Sequence, residues 1–191
     1  MPAVACIRSP GEATNISAHK HKPETIEPGQ LKNPVVLVAL GFGSGLAPKA
    51  PGTAGTLVAI PLYLQMQSLP LSVYASITLA CAFIGIGICG YAANKLGVHD
   101  HPAIVFDEIV GFFIAMFAAP AGLLPLLAGF LLFRLFDALK PWPISWFDRN
   151  IHGGFGIMFD DVLAGVMSLA VLQLAYHLMV ESCDVLPFYC H

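Results

Sequence analysis

Two stretches of the chain put adjacent carboxylates at the head of apolar runs. "HPAIVFDEIVGFFIAMF" at 101–117 carries Asp107 and Glu108, and "GIMFDDVLAGVMSLAVL" at 156–172 carries Asp160 and Asp161. Like charges within a few ångströms raise each other's pKa and cannot all ionise without compensation. A bound cation supplies it, and magnesium in particular is held by one or two carboxylates together with waters and phosphate oxygens. For a single pair, a solvated helix start is an equal alternative, because negative charge is favoured at a helix N-terminus. Two pairs plus Asp137 favour the metal. Asp107, Glu108, Asp137, Asp160 and Asp161 are therefore the candidate ligands, and Asp107, Asp137 and Asp161 are candidates for the reaction itself. Each pair also has a glycine one turn on, Asp107 with Gly111 and Asp161 with Gly165, where a neighbouring helix can approach closely.

Bases follow the same pattern. In "FRLFDALKPWPISWFDRN", Arg134, Asp137 and Lys140 are spaced by three and share a sector of about 120° on a helix. Ion pairing alone accounts for this at a few tenths of a kcal/mol. At the end of an apolar helix, however, an ionisable residue needs a reason. An arginine fork and a lysine point charge beside a carboxylate cluster are what a phosphate group requires. Arg149 adds a base to the same stretch, and Trp142 and Trp146 are residues that favour a membrane interface.

Two loops are further candidates. "GFGSGLAPKAPGTAGTL" at 41–57 is neither a dinucleotide fingerprint nor a P-loop, and it reads equally as an irregular turn. Yet Pro51-Gly52-Thr53 leads into an apolar helix with Thr53 placed as its N-cap, and free amides there bind anions. Ser44, Lys49 and Thr53 are thus candidate phosphate ligands. "LGVHDHPAIVFDE" contributes His99, Asp100 and His101 just before the first acid pair, as general acid, ligand or nucleophile, or as a polar interfacial loop.

The elements that must position these residues are membrane helices. Of 191 residues, 57% are hydrophobic and 11% charged, against about 25% charged in a soluble domain. Net charge of −3 excludes a strongly basic nucleic-acid surface. Apolar segments lie near 54–69, 71–94, 103–119, 122–139 and 155–180. Only the second and fifth reach the roughly 20 residues that span a bilayer comfortably. The fold class expected is an all-α polytopic bundle of about five apolar helices, some short or re-entrant. A single crossing over 109–136 is the alternative, but Pro120, Gly122 and Pro125 break it into a hairpin.

Basic residues test this topology through the positive-inside tendency. If the chain starts in the cytoplasm and crosses five times, Arg8, Lys20, Lys22, Lys32, Lys49, Lys95, Arg134, Lys140 and Arg149 all fall at or near the inner face. The acids then share that face too. Residues 1–34 are polar and Pro-rich and read as a flexible cytoplasmic tail, 35–181 as the membrane-embedded catalytic domain, and 182–191 as a short outer tail. No apolar run follows the initiator, so no cleavable signal is expected. His19 and His21 flank Lys20 as a metal tract would, but a solvated tail is the favoured reading. Among the cysteines, Cys81 and Cys89 read as small core residues, Cys6 has no partner by spacing, and Cys183 and Cys190 are close enough to pair in an oxidising compartment.

The motifs at 41–57, 98–111 and 133–165, in this order over about residues 35–170, resemble the phosphatidylglycerophosphatase A family. Phe106 stands where that family often has tryptophan. The resemblance implies a magnesium-dependent enzyme of the bacterial inner membrane, acting at the cytoplasmic face on phosphatidylglycerophosphate, a phospholipid in the bilayer, to give phosphatidylglycerol and phosphate. There is no C-x5-R loop, no D-x-D motif and no K-x6-R-P motif, which leaves attack by a metal-activated water as the favoured route. A covalent aspartyl or histidyl intermediate is the other. From a different class, an ion- or proton-coupled transporter also uses intramembrane acids, though near the midplane rather than at helix ends beside bases.

Overall fold

The computed structural model describes residue 26 and residues 28–98 and 101–185, with side chains to residue 180. Every regular element among them is helical: α1 (Pro34–Ala39), α2 (Pro51–Met66), α3 (Leu71–Leu96), α4 (Phe106–Ala115), α5 (Leu123–Leu139), α6 (Ile144–Asn150) and α7 (Gly153–Val185), with 3₁₀ turns at Gln30–Lys32 and Gly41–Leu46. Residues 1–25 and 27, which hold most of the expected tail with His19, His21 and Cys6, lie outside the described residues, as do the side chains of Cys183 and Cys190. The last part of the expected tail is structured. Leu31 packs on the core, Gln30 Nε2 donates to the Lys95 carbonyl at 3.2 Å, and Asn33 caps α1 by accepting from the amides of Val35 and Val36.

Helices stand at all five apolar segments, but among the described residues only α3 and α7 are long and apolar enough to cross a bilayer. The ten residues of α4 extend about 15 Å, half the hydrocarbon thickness. α4 is instead the buried centre, packed against α2, α3, α5 and α7 with Ile109, Val110, Phe112, Phe113 and Ala115 out of solvent. Phe112 meets the rings of Tyr63, Phe130 and Phe133 at centroid distances of 6.0 to 6.4 Å. Cys89 is fully buried and Cys81 partly so, both in an apolar cluster shared by α1, α3, α4 and α7.

The break between α4 and α5 is real. After Ala115 the chain turns through 116–122, where Gly122 adopts φ 138° and Ala118 φ 54°. The turn ends α4's own ladder, so the Phe113 carbonyl and those of the turn itself draw on donors from elsewhere. Other helices supply the donors: Tyr74 Oη donates to the Phe113 carbonyl at 2.7 Å, and Gln173 Nε2 donates to the carbonyls of Phe117 and Ala118 at 3.0 and 2.9 Å. In hydrocarbon each unsatisfied group would cost several kcal/mol.

The outer surface is apolar. On α5, Leu124, Leu127, Leu131 and Leu135 project outward at helical spacing, and α3 exposes Leu79, Phe83 and Ile84. Soluble monomers do not expose contiguous apolar area on this scale. A lipid environment accounts for it.

Candidate active site

The site begins where α4 crosses α7. A Cβ added to Gly165 would strike the carbonyl of Gly111, and one added to Gly111 would lie 2.8 Å from the carbonyl of Asp161. Two glycines thus let the backbones touch. Asp107 and Asp161 each sit one turn before such a glycine, so the crossing brings both to one cavity. Both are buried, at 7% and 3% exposure.

α5 enters beside them with its last two turns. Arg134 Nη1 donates to Asp137 Oδ2 at 2.6 Å and lies 3.3 Å from Glu108 Oε1, so one guanidinium joins α4 to α5. Lys140 follows the end of α5 in a left-handed conformation, φ 42°, uncommon for a residue with a side chain. Its ammonium donates to Asp160 on α7 and to Asp148 on α6, the latter at 2.6 Å. Burial alone would lower the Lys140 pKa, but the hydrogen bonds to Asp148 and Asp160 outweigh it and raise the pKa.

The fourth wall is the start of α2. Gly52 and Gly55 face Glu108: a Cβ at Gly52 would overlap its carboxylate, and one at Gly55 would lie 2.9 Å from Oε2. The positive end of α2 therefore rests against an acid, the favourable sense of the helix dipole. Ala50, the residue capping α2, is also left-handed at φ 50°. Ala50 and Lys140 both line the cavity, and backbone strain of this kind gathers at functional sites.

The resulting cavity holds about 280 Å³. Asp107, Glu108, Arg134, Asp137, Lys140, Asp160 and Asp161 all line it. Five carboxylates face two cations, and Asp161 Oδ2 is buried with no hydrogen-bond partner. An all-oxygen donor set with excess negative charge suits a hard cation. As the side chains stand, no three His, Cys, Asp or Glu among the described residues converge as a ready-made coordination shell. Magnesium does not need three, since waters and substrate oxygens complete its octahedron.

Other expected residues are placed elsewhere. Thr53 is not the cap of α2: the cap is Ala50, Pro51 opens the helix, and Thr53 falls within the first turn, outside the cavity lining. Ser44 sits in the 3₁₀ turn with its Oγ buried and unpartnered, away from the cavity. Lys49 and Arg149 are solvent-exposed and do not line it. His99 and Asp100 lie outside the described residues. His101 is buried, and its Nδ1 accepts from the Ala103 amide at 3.1 Å. Sequence reading missed Asp148 and Gly52. The Gly52-x-x-Gly55 spacing was visible, but nothing local says which acid it faces.

The model of the family described as Phosphatidylglycerophosphatase A matches residues 37–176, spanning every element of the cavity. The chain belongs to the phosphatidylglycerophosphatase A family. It is similar to phosphatidylglycerophosphatase A of Escherichia coli, 45% identical over 159 residues, covering 83% of this chain and 92% of that protein. The Haemophilus influenzae phosphatidylglycerophosphatase A is 45% identical over 144 residues, 74% of this chain and 88% of its own. A provisionally named phosphatidylinositol-3-phosphatase of Bacteroides thetaiotaomicron is 41% identical over 150 residues, 73% and 92% respectively. No solved structure matches the chain. Phosphatidylglycerophosphatase A membership fits a cavity with cations and acids at the end of an apolar bundle.

Proposed function

We propose that this protein hydrolyses phosphatidylglycerophosphate to phosphatidylglycerol and phosphate, at the cytoplasmic face of a bacterial inner membrane and with Mg²⁺. The observation that carries the reading is the meeting of Arg134 and Lys140 with five carboxylates in one cavity, in a chain of this family. Lys140 has three N–H donors, two of them on Asp148 and Asp160, which leaves one for a phosphate oxygen. Arg134 spends Nη1 on Asp137 and Glu108 and keeps the rest of its five-donor fork. Asp107 and Asp161 are the buried acids that would hold Mg²⁺, with Asp137 beside them; the ion would offset charge on the transferring phosphoryl group.

The chain's own groups account for the remaining steps. Glu108 and Asp160 fix the two cations that orient the phosphate. A carboxylate in the cavity, with Asp161 Oδ2 the open acceptor, takes the proton from the attacking water. Water attacks phosphorus, the P–O bond to glycerol breaks, and the leaving glycerol oxygen takes up the proton that the carboxylate removed from the water.

The basic residues support the orientation. Lys32, Lys49, Lys95, Arg134, Lys140 and Arg149 lie at the cavity end of the helices, while the turns at 67–70 and 116–122 carry no charge. Asp107, Glu108 and Asp137 at helix ends beside bases also speak against an ion-coupled transporter, whose acids would sit near the midplane, although Asp160 and Asp161 lie two turns inside α7 rather than at its head as the sequence suggests.

Purified protein in detergent, given phosphatidylglycerophosphate with and without Mg²⁺, tests the proposal through released phosphate. Release that needs Mg²⁺ supports it. Preference for a phosphoinositide over phosphatidylglycerophosphate would move the head group to that of the Bacteroides relative and overturn the substrate named here.

A further inference from the structure

Beside the charged cavity lies a second one of different character. Trp142, Pro143, Trp146 and Phe147 line an apolar space of about 430 Å³ where α5 passes into α6. Trp142 is 79% and Trp146 53% exposed. The rings continue from α6 to α7: Trp146 meets Phe147 edge-on at 4.9 Å, Phe147 meets Phe159 at 4.9 Å, and Phe159 stacks on the exposed Phe155 at 5.3 Å. Phe159 directly precedes Asp160, and Trp142 is two residues beyond Lys140.

One contact ties the two spaces together. Lys140 lines the charged cavity, and its ammonium bonds Asp148 in α6, the helix that carries the groove, as well as Asp160. A molecule with a phosphate on Lys140 would therefore have the apolar groove within reach of its other end. The ring ladder supplies rigid, amphipathic contact area of the kind that receives chains while tolerating head groups.

Resting on the lipid-phosphatase reading above, we propose that the Trp142–Trp146 groove docks an acyl chain of the substrate lipid while its phosphate occupies the adjoining cavity. The groove then selects for a bilayer lipid over a water-soluble phosphate monoester. The competing occupant is the bulk membrane, with the tryptophans acting only as an interfacial anchor.

The chain has two tryptophans, both in the groove, so tryptophan fluorescence, excited selectively over the tyrosines, reports on it. The full-length protein in phosphatidylcholine vesicles with Mg²⁺ is titrated with a non-hydrolysable phosphonate analogue of phosphatidylglycerophosphate bearing dibrominated chains, and separately with equally brominated phosphatidylglycerol. Docking predicts that the analogue quenches saturably at low mole fraction and is displaced by its unbrominated form, while phosphatidylglycerol quenches only in proportion to its content. Equal, proportional quenching by both lipids means an anchor only and overturns the proposal. In turnover, the Trp142→Ala/Trp146→Ala double variant should raise KM for the long-chain substrate by about tenfold, with kcat held and a water-soluble short-chain substrate unaffected. Equal loss of kcat on both substrates would make the groove a mere support for Lys140. Saturable quenching without phosphate release by the wild type would sink the phosphatase reading and leave the docking site standing.

Discussion

Gly111 and Gly165 face each other across the α4–α7 crossing, and a Cβ on Gly165 would collide with the Gly111 carbonyl oxygen. This contact sets how closely Asp107 and Asp161 approach, because each acid lies one turn from its glycine. Gly165→Val should separate the helices, cost about 1–3 kcal/mol of stability, and cut turnover at least about tenfold through misplacement of the acids. Gly87 has nothing within 4 Å of its would-be Cβ. Gly87→Ala should thus be neutral or stabilise by up to about 1 kcal/mol. Thermal unfolding and phosphate release measured on both variants decide the matter; equal behaviour would mean the crossing does not position the site.

Asp107→Asn and Asp161→Asn each remove a charge while keeping shape. If these acids hold a cation, turnover should fall by at least about tenfold and the Mg²⁺ concentration for half-maximal activity should rise. Variants that fold normally and retain near-wild-type rates at saturating Mg²⁺ would show that the acids serve the fold alone.

Arg134 meets Glu108 and Asp137 through Nη1 alone, so the rest of its planar fork is left to grip a phosphate in two places, which a lysine point charge cannot do. Arg134→Lys should therefore lose activity despite keeping its charge. Gly52→Ala tests the same acid from the other side, since the new methyl must displace the Glu108 carboxylate. Both should lower kcat more than they raise KM, and an unchanged kcat in the pair would reduce this network to an ion-paired helix end.

How much of this was legible beforehand follows from what a linear sequence can encode. Acid pairs, the 134–137–140 spacing and the Pro120–Pro125 break are local signals, and the seven charged residues they pointed to line one cavity. The 41–57 loop misled because a phosphate-like composition says nothing about direction. Ala50 takes the cap with a left-handed backbone, and this shifts Thr53 into the helix and leaves Lys49 outside. Gly52 and Asp148 escaped notice because their partners, Glu108 and Lys140, are set by tertiary packing. Hydropathy alone predicts an apolar segment over 103–119, whereas α4 spans Phe106–Ala115, because burial on every side lets a short helix be that apolar.

Lys140 yields a pH prediction. Its folded pKa is raised above the unfolded value, so its stabilising pairs are fully present below about pH 10.4 and are lost only as pH climbs through the folded value. The difference in Tm between wild type and Lys140→Met should stay constant from about pH 7 to 9.5 and shrink only above that range. Shrinkage already by about pH 8 would mean that the ammonium is not held by Asp148 and Asp160 as the structure has it.

Topology carries the last test, since the proposed chemistry needs one face. Asp107 and Asp137 line a common cavity because α4 and α5 reverse at 116–122; one continuous helix would hold them about 45 Å apart. Lys49 is exposed near the cavity end, and Ser68 is exposed in the turn between α2 and α3 at the other end. With the native cysteines replaced, Lys49→Cys should resist a membrane-impermeant thiol reagent in intact cells and react only after the membrane is opened, while Ser68→Cys should react at once. The reverse pattern would turn the cavity outward, away from the compartment to which the basic residues assign it. Reaction at neither position would mean that α2 and α3 do not form a hairpin reaching the far surface, and that the cavity is anchored by α3 and α7 in some other arrangement.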